Sequence, residues 1–327
     1  LERRYLPRWC RVYEEPLVGE EAVEIGALHQ AVAPWRAQVR RQLEHIRPLG
    51  MQRVYRVQDG DELDLNAIVA VRQDIRARRA PDERVYSRRT RIHRDVCAAF
   101  LVDLSASTGD PIEAPVAAAA PADSGESGSP TVWGDWDDDR YEEDMANQEP
   151  VRKVIDVQRE AMLVMATALE ELGDQYGIFG FSGYGRDCVE LFVAKEINEP
   201  LTNAALRAIG AMSPKRSTRM GPAIRHATAK LMAGASALKI LMVVSDGFPQ
   251  DADYGPIRGD HEYGLQDTAK ALQEAKEKGI ETFCVTVDRS GHDYLKRMCP
   301  DARYLVIEEM DDLPGALSKV YSVLTAK

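Results

Sequence analysis

The chain has 327 residues, a formal net charge of −11, 44% apolar residues and five cysteines. That length suits one large or two smaller domains, and the absence of any run of about eighteen apolar residues excludes a membrane-spanning helix. Cys10, Cys97, Cys188, Cys284 and Cys299 are odd in number, scattered and free of Cys-x-x-Cys spacing, so they read as thiols of a reducing, cytoplasmic compartment rather than as a disulfide framework or zinc site.

The start, LERRYLPRWCRVYEEP, has the look of a segment of a longer polypeptide and carries no charged-then-apolar signal segment. From Glu20 to about Leu49, apolar residues at Leu28, Val32, Trp35, Val39, Leu43 and Ile46 follow helical steps, and Pro34 is expected to kink or divide that helix. Met51 to Val57 reads as a strand, Asp59-Gly60-Asp61 as a turn, Asn66 to Arg79 as a short helix and Glu83 to Arg91 as an extended segment. Arg72, Arg76, Arg78, Arg79, Arg84, Arg88, Arg89, Arg91 and Arg94 form a dense basic stretch, either a solvated face or a docking surface for acidic groups. Residues 1–94 are therefore expected to form a helical or mixed extension.

The motif around which the remainder is arranged is Ala98 to Thr108, AAFLVDLSAST. Its apolar half reads as a strand buried on both faces. Its polar half sends the oxygen side chains of Asp103, Ser105 and Ser107 toward one point at the carboxyl end of that strand, where open α/β sheets bind their ligands. From about residue 109 to 149 follow an Ala/Pro tract, a Gly/Ser tract and the acidic-aromatic tract VWGDWDDDRYEED, a composition unable to bury a core. Between Thr108 and Pro150, twelve acids face Arg140 alone, which accounts for the entire net charge of the chain. The remainder is nearly neutral, which speaks against a nucleic-acid binder. Because this insert leaves from the Ser105–Ser107 loop, it reads either as a simple solvated loop or as a segment whose carboxylates mask the ligand face.

Helices and strands then alternate. VRKVIDVQREAMLVMATALEELG carries an apolar stripe at Val154, Val157, Met162, Met165, Leu169 and Leu172. Gln175 to Phe181 reads as a buried strand, and Cys188 to Ala194 as a more alternating strand at a sheet edge. A helix is expected near Asn203 to Ile209, then a loop with Ser217 and Thr218, then a helix from Gly221 to Ala233. Ile240 to Val244 is a further buried strand and ends in Ser245-Asp246-Gly247. A helix from about Leu265 to Lys278, the strand GIETFCVTVD, a short helix near His292, a strand at Arg303 to Ile307 and a helix to Leu324 complete the chain. The pattern predicts an α/β fold with a doubly wound, mostly parallel sheet over residues 95–327.

Asp103-x-Ser105-x-Ser107, then Thr218 in a loop ahead of a helix, then Asp246-Gly247 at the end of the next buried strand, resemble the metal-ion-dependent adhesion site of von Willebrand factor A domains. The resemblance implies a Rossmann-like A domain in which Ser105, Ser107 and Thr218 touch a cation while Asp103 and Asp246 act largely through waters. Mg²⁺ is the expected ion, with Mn²⁺ or Ca²⁺ as substitutes, and an Asp or Glu of a partner would complete its shell. The further wording DLSAST, LEELGDQYGIFGFSGYGRD, STRMGPAIRHA, VSDGFPQD and KGIETFCVTVD, with PRWCRVYE at the start, resembles the carboxy-terminal region of the CbbO/NorD family over the whole chain. Members look like non-catalytic adaptors that bring a hexameric MoxR-type AAA+ ATPase (CbbQ/NorQ-like) to a target. For CbbO the target is inhibited Rubisco, the reading this likeness favours; for NorD it is nitric oxide reductase.

A metal-dependent hydrolase is the remaining alternative, since a cation with Ser and Asp ligands can activate water. It would need a general base nearby. His226 falls on the helix after the Thr218 loop, and His93, His261 and His292 belong to other segments. No Walker A sequence, Gly-x-Ser-x-Gly elbow or Cys/His zinc spacing is present in the sequence.

Overall fold

Eight successive buried residues make Val96–Asp103 (β5) the central strand. Its side chains divide by parity, Ala98, Phe100 and Val102 entering one apolar cluster and Cys97, Ala99 and Leu101 another. That is the period-2 alternation of a strand covered on both faces. The computed structural model describes residues 8–20, 25–46, 51–91, 94–112, 152–255, 261–288, 292–299 and 301–326. Most of the acidic insert, residues 113–149, lies outside the described residues, and with it both readings of the insert, the solvated loop and the masked ligand face.

Seven strands form the main sheet: Val12–Pro16 (β1), β5, Gln175–Gly183 (β6), Val189–Lys195 (β7), Leu238–Ser245 (β8), Ile280–Thr286 (β9) and Tyr304–Val306 (β10). Their spatial order is β1-β7-β6-β5-β8-β9-β10. Only β6 and β7 pair antiparallel; the other neighbours are parallel. The fold is thus the doubly wound α/β architecture that the alternation of elements predicts. Strand β7 departs from expectation, since β1 pairs with it in parallel register from Val12↔Val189 to Pro16↔Val193 and takes the edge instead. The sequence VYEEP hides this role because an edge strand needs no apolar alternation and tolerates a proline.

One face of the sheet is covered by Ala33–Glu44 (α2), Val154–Leu172 (α4), Asn203–Gly210 (α5) and Leu313–Thr325 (α9). Val32 separates α2 from the preceding helix Ile25–Ala31 (α1), the division that Pro34 predicts, with the proline in the first turn of α2. Helix α4 buries more than a stripe, because Ile155, Ala161, Leu163 and Val164 join the predicted positions where it is held between the sheet and its neighbouring helices. The other face is covered by Met220–Ala233 (α6), Glu262–Glu277 (α7) and His292–Met298 (α8).

Residues 51–91 build a separate three-stranded antiparallel sheet from Met51–Val57 (β2), Glu62–Leu63 (β3) and Tyr86–Arg91 (β4), with the helix Leu65–Arg76 (α3) capped by Asp64. Arg72, Arg76, Arg78, Arg79, Arg84, Arg88 and Arg89 are exposed there. Arg94 departs from that basic stretch. It is buried, donates from Nε to Asp174 Oδ1 at 2.7 Å and from Nη1 to the Ile46 carbonyl at 2.6 Å. The Tyr321 hydroxyl donates to the other Asp174 oxygen at 2.6 Å, so one carboxylate ties the chain entering β5 to the last helix. Among the described residues no helix is long and apolar enough to cross a membrane.

Candidate functional site

From β5 the chain turns through α4 toward β6 and β7, then crosses back through α6 to β8 on the other side. Strands β5 and β8 are therefore the neighbours from which the connections diverge, and a crevice opens at their carboxyl ends. Asp103 closes β5 and is fully buried. Its Oδ1 accepts the backbone N–H of Ser105 at 2.9 Å, and its Oδ2 accepts the Ser245 hydroxyl at 2.7 Å. The 3₁₀ turn Ala106–Gly109 then brings the Ser105 and Ser107 hydroxyls to 3.0 Å from each other. Across the crevice, the Ser105 hydroxyl donates to Asp246 Oδ1 at 3.4 Å.

Four of the five residues singled out in the sequence, Asp103, Ser105, Ser107 and Asp246, thus meet in one hydrogen-bonded cluster. Thr218 is buried beside them in a loop held by backbone contacts. Ala106 N donates to the Arg216 carbonyl at 2.7 Å, Lys215 N to the Leu104 carbonyl at 2.7 Å, and Thr218 N to the Gln250 carbonyl at 2.8 Å. Each loop around the crevice is consequently pinned to its neighbour.

Burial pushes the Asp103 carboxyl up to about 7, and the nearby Asp246 charge adds to the rise. Asp246 is raised as well, chiefly by burial, while hydrogen bonds from Ser107 and Ser105 work against the rise. Among the described residues no Lys, Arg or His forms an ion pair with either carboxylate. Two desolvated carboxylates facing each other with no cationic side chain favour a bound positive ion. The donors are oxygens throughout, which suits a hard divalent cation such as Mg²⁺, Mn²⁺ or Ca²⁺. No group of three His, Cys, Asp or Glu side chains able to hold a metal occurs among the described residues, so the donor set here depends on the hydroxyls.

Two features of this region escape motif reading. Ser245, the last residue of β8, is the hydrogen-bond partner of Asp103, a role that its place ahead of Asp246-Gly247 does not announce. Arg219, directly after Thr218, is 1% exposed and donates to Asp251 Oδ2 at 2.9 Å and to Asp253, while its guanidinium lies 4.4 Å from the centre of the Tyr254 ring. Asp251 and Asp253 also accept the backbone N–H groups of Gly185 and Arg186 at 2.9 and 3.0 Å. The clamp locks the Thr218 loop, the loop after Asp246 and the β6–β7 hairpin together. The pair Asp251-x-Asp253, close after Asp246, was its only trace in the sequence. The histidines considered as bases have other contacts. His226 Nε2 is 2.5 Å from Glu14 on β1, His261 stacks on Phe248 at 5.1 Å, and His292 meets the Tyr304 ring edge-on at 6.1 Å. His93 lies outside the described residues.

The family model of the von Willebrand factor type A domain matches residues 151–319. It therefore takes in Thr218 and Asp246 and starts after β5, which the sheet pairing restores to the same crevice. The chain is 32% identical over 322 residues to Protein NorD of Brucella melitensis biotype 1, covering 98% of this chain and 44% of that protein. Against Protein NorD of Stutzerimonas stutzeri the identity is 28% over 278 residues, covering 85% of this chain and 39% of the relative. The chain thus spans less than half the length of these relatives. Among solved structures, the PilB minor pilin from Streptococcus sanguinis aligns with a TM-score of 0.49 at 14% identity, over 73% of this chain and 64% of the pilin. The chain belongs to the von Willebrand factor type A domain family and is homologous to the NorD proteins.

Proposed function

We propose that this chain is the target-binding part of a non-catalytic adaptor that brings a MoxR-type AAA+ ATPase to the protein it remodels. The observation that carries the reading is the convergence of the Asp103, Ser105, Ser107 and Asp246 oxygens in one crevice, with Thr218 in the adjoining pinned loop. A divalent cation bound there would supply a positive charge that accepts a carboxylate from the target. Ser105, Ser107 and Thr218 would hold it directly, and Asp103 and Asp246 would balance its charge, mostly through waters. Ser245 and the Ser105 N–H orient Asp103 for this task.

Because the relatives described above are NorD proteins, nitric oxide reductase is the first target and NorD-type action the first reading. Rubisco, with CbbO-type action, is the second, supported by the wording of the motifs. A hydrolase is disfavoured, since the contacts of His226, His261 and His292 are with Glu14, Phe248 and Tyr304.

The test is titration of the chain against detergent-solubilised nitric oxide reductase and against inhibited Rubisco, with Mg²⁺ and with EDTA, alongside Asp103→Ala. Binding to either in Mg²⁺, lost in EDTA and in the variant, supports the adaptor and names its target. Binding that survives both treatments rejects a metal-borne contact.

A further inference from the structure

One cation on one carboxylate makes a small contact, and the loops on the β6–β7 side of the crevice carry exposed basic and aromatic side chains. On the β6–β7 side, the chain that carries Arg216 forms an isolated bridge between Ser217 and Gly183. Arg216 itself is exposed, with Nη1 3.6 Å from Cys188 Sγ and 3.9 Å from Glu190 Oε1. Tyr184 follows Gly183 at the hairpin and is 62% exposed. Two residues further, the Arg186 guanidinium lies 4.3 Å from the centre of the Trp9 ring, and Trp9 is 43% exposed. Arg11 N donates to the Arg186 carbonyl at 2.8 Å and Val189 N to the Arg11 carbonyl at 3.0 Å, so the β1 segment holds this shelf in place from outside.

Asp110 lies close enough for its charge to act on Asp246.

We propose that the shelf of Arg216, Tyr184, Arg186 and Trp9 is the second half of the target-binding surface, and that it receives a protein segment bearing an apolar side chain and an additional carboxylate. The proposal rests on the reading that the crevice binds a target carboxylate. Tyr, Trp and Arg are the residues that dominate binding energy at protein interfaces. They offer large rigid area at little entropic loss, and the guanidinium fork matches a carboxylate. The Arg186–Asp187 pair is exposed and the Arg216–Glu190 pair is long at 3.9 Å, so both contribute little where they stand and leave the guanidinium groups able to turn to a target carboxylate.

The test uses the same two probes, the reductase and Rubisco, with the chain carrying Arg216→Glu or Tyr184→Ala. The target bound in Mg²⁺ by the unaltered chain is expected to bind each variant about tenfold more weakly or worse. The salt dependence should flatten for Arg216→Glu, while the rise in Tm on adding Mg²⁺ stays the same. Unchanged affinity in both variants, with EDTA still abolishing binding, overturns the shelf and leaves the metal contact standing. A loss of affinity together with loss of the Mg²⁺-induced rise in Tm also overturns it, because the effect then runs through the crevice. No binding of either probe by the unaltered chain overturns the shelf and the reading beneath it together.

Discussion

Ser245 donates its hydroxyl to Asp103 Oδ2 at 2.7 Å across the junction of β5 and β8, and so fixes a fully buried carboxylate at the floor of the crevice. The group is held ready for a positive charge and is raised to about 7 without one. Below about pH 4 the unfolded and folded chains are both protonated at this position. Between there and pH 7 the folded chain holds a proton that the unfolded chain has released, so metal-free stability falls as pH rises. Above pH 7 the full penalty is present. Mg²⁺ is therefore expected to raise Tm more at pH 8 than at pH 5.5. Asp103→Asn should raise the metal-free Tm at pH 8, by about 2–4 °C for each kcal/mol relieved, and remove the response to Mg²⁺. Scanning calorimetry at the two pH values reads both effects. An equal Mg²⁺ response at both would disprove the linkage.

Ser107→Ala removes a hydroxyl from an exposed side chain, and Thr218→Val replaces the buried Thr218 hydroxyl by a methyl group of similar size. Each should reduce Mg²⁺-dependent target binding at least tenfold while Tm in EDTA moves by less than about 2 °C. Retained affinity in both would show that the hydroxyls hold no cation.

The Arg219 clamp yields a separate expectation. Removing the buried guanidinium leaves the Asp251 carboxylate, which is buried too, without its cation and costs about 3 kcal/mol, while the largely solvated Asp253 adds little. Arg219→Met should lower Tm markedly, whereas Arg219→Lys should keep much of the stability but loosen the Thr218 loop. Mn²⁺ affinity of Arg219→Lys, followed by water-proton relaxation, is the discriminating reading. A folded variant with undiminished affinity would make the clamp a matter of stability alone.

Asp174 offers a control far from the crevice, at the opposite end of β5 and β6. Asp174→Ala strands the buried Arg94 guanidinium and leaves the Tyr321 hydroxyl without its acceptor. A loss of about 3 kcal/mol in urea unfolding is expected, with Mg²⁺ affinity of the folded protein unchanged. A smaller loss, under about 1 kcal/mol, would mean that water replaces the carboxylate.

The sheet was legible in the sequence wherever strands are buried on both faces, because AAFLV, YGIFGF and KILMVV admit few other readings. The clustering of Asp103, Ser105, Ser107 and Asp246 was legible for a related reason. Residues that end adjacent parallel strands must meet at one edge. What escaped shares a different cause. Strand β1 is polar, the Arg219 clamp joins residues more than thirty positions apart, and Arg94 stands in a run of arginines of which Arg72, Arg76, Arg78, Arg79, Arg84, Arg88 and Arg89 are exposed. In each case a partner distant in sequence decides the role, and no local pattern announces it.

The pairing of β1 with β7 sets where this protein can be cut. Glu14 on β1 also meets Lys230 and His226 of α6, so the first strand is bound sideways as well as along its backbone. A fragment starting near residue 95 would bare the N–H and C=O row of Val189–Lys195, an open template for any extended chain. Such a fragment should form strand-exchanged dimers or aggregates, and a synthetic peptide spanning residues 8–20 should suppress them by filling the gap. In architectural terms the first strand is a keystone delivered from the far side of a separate module, so the compact unit in space is not a contiguous stretch of chain.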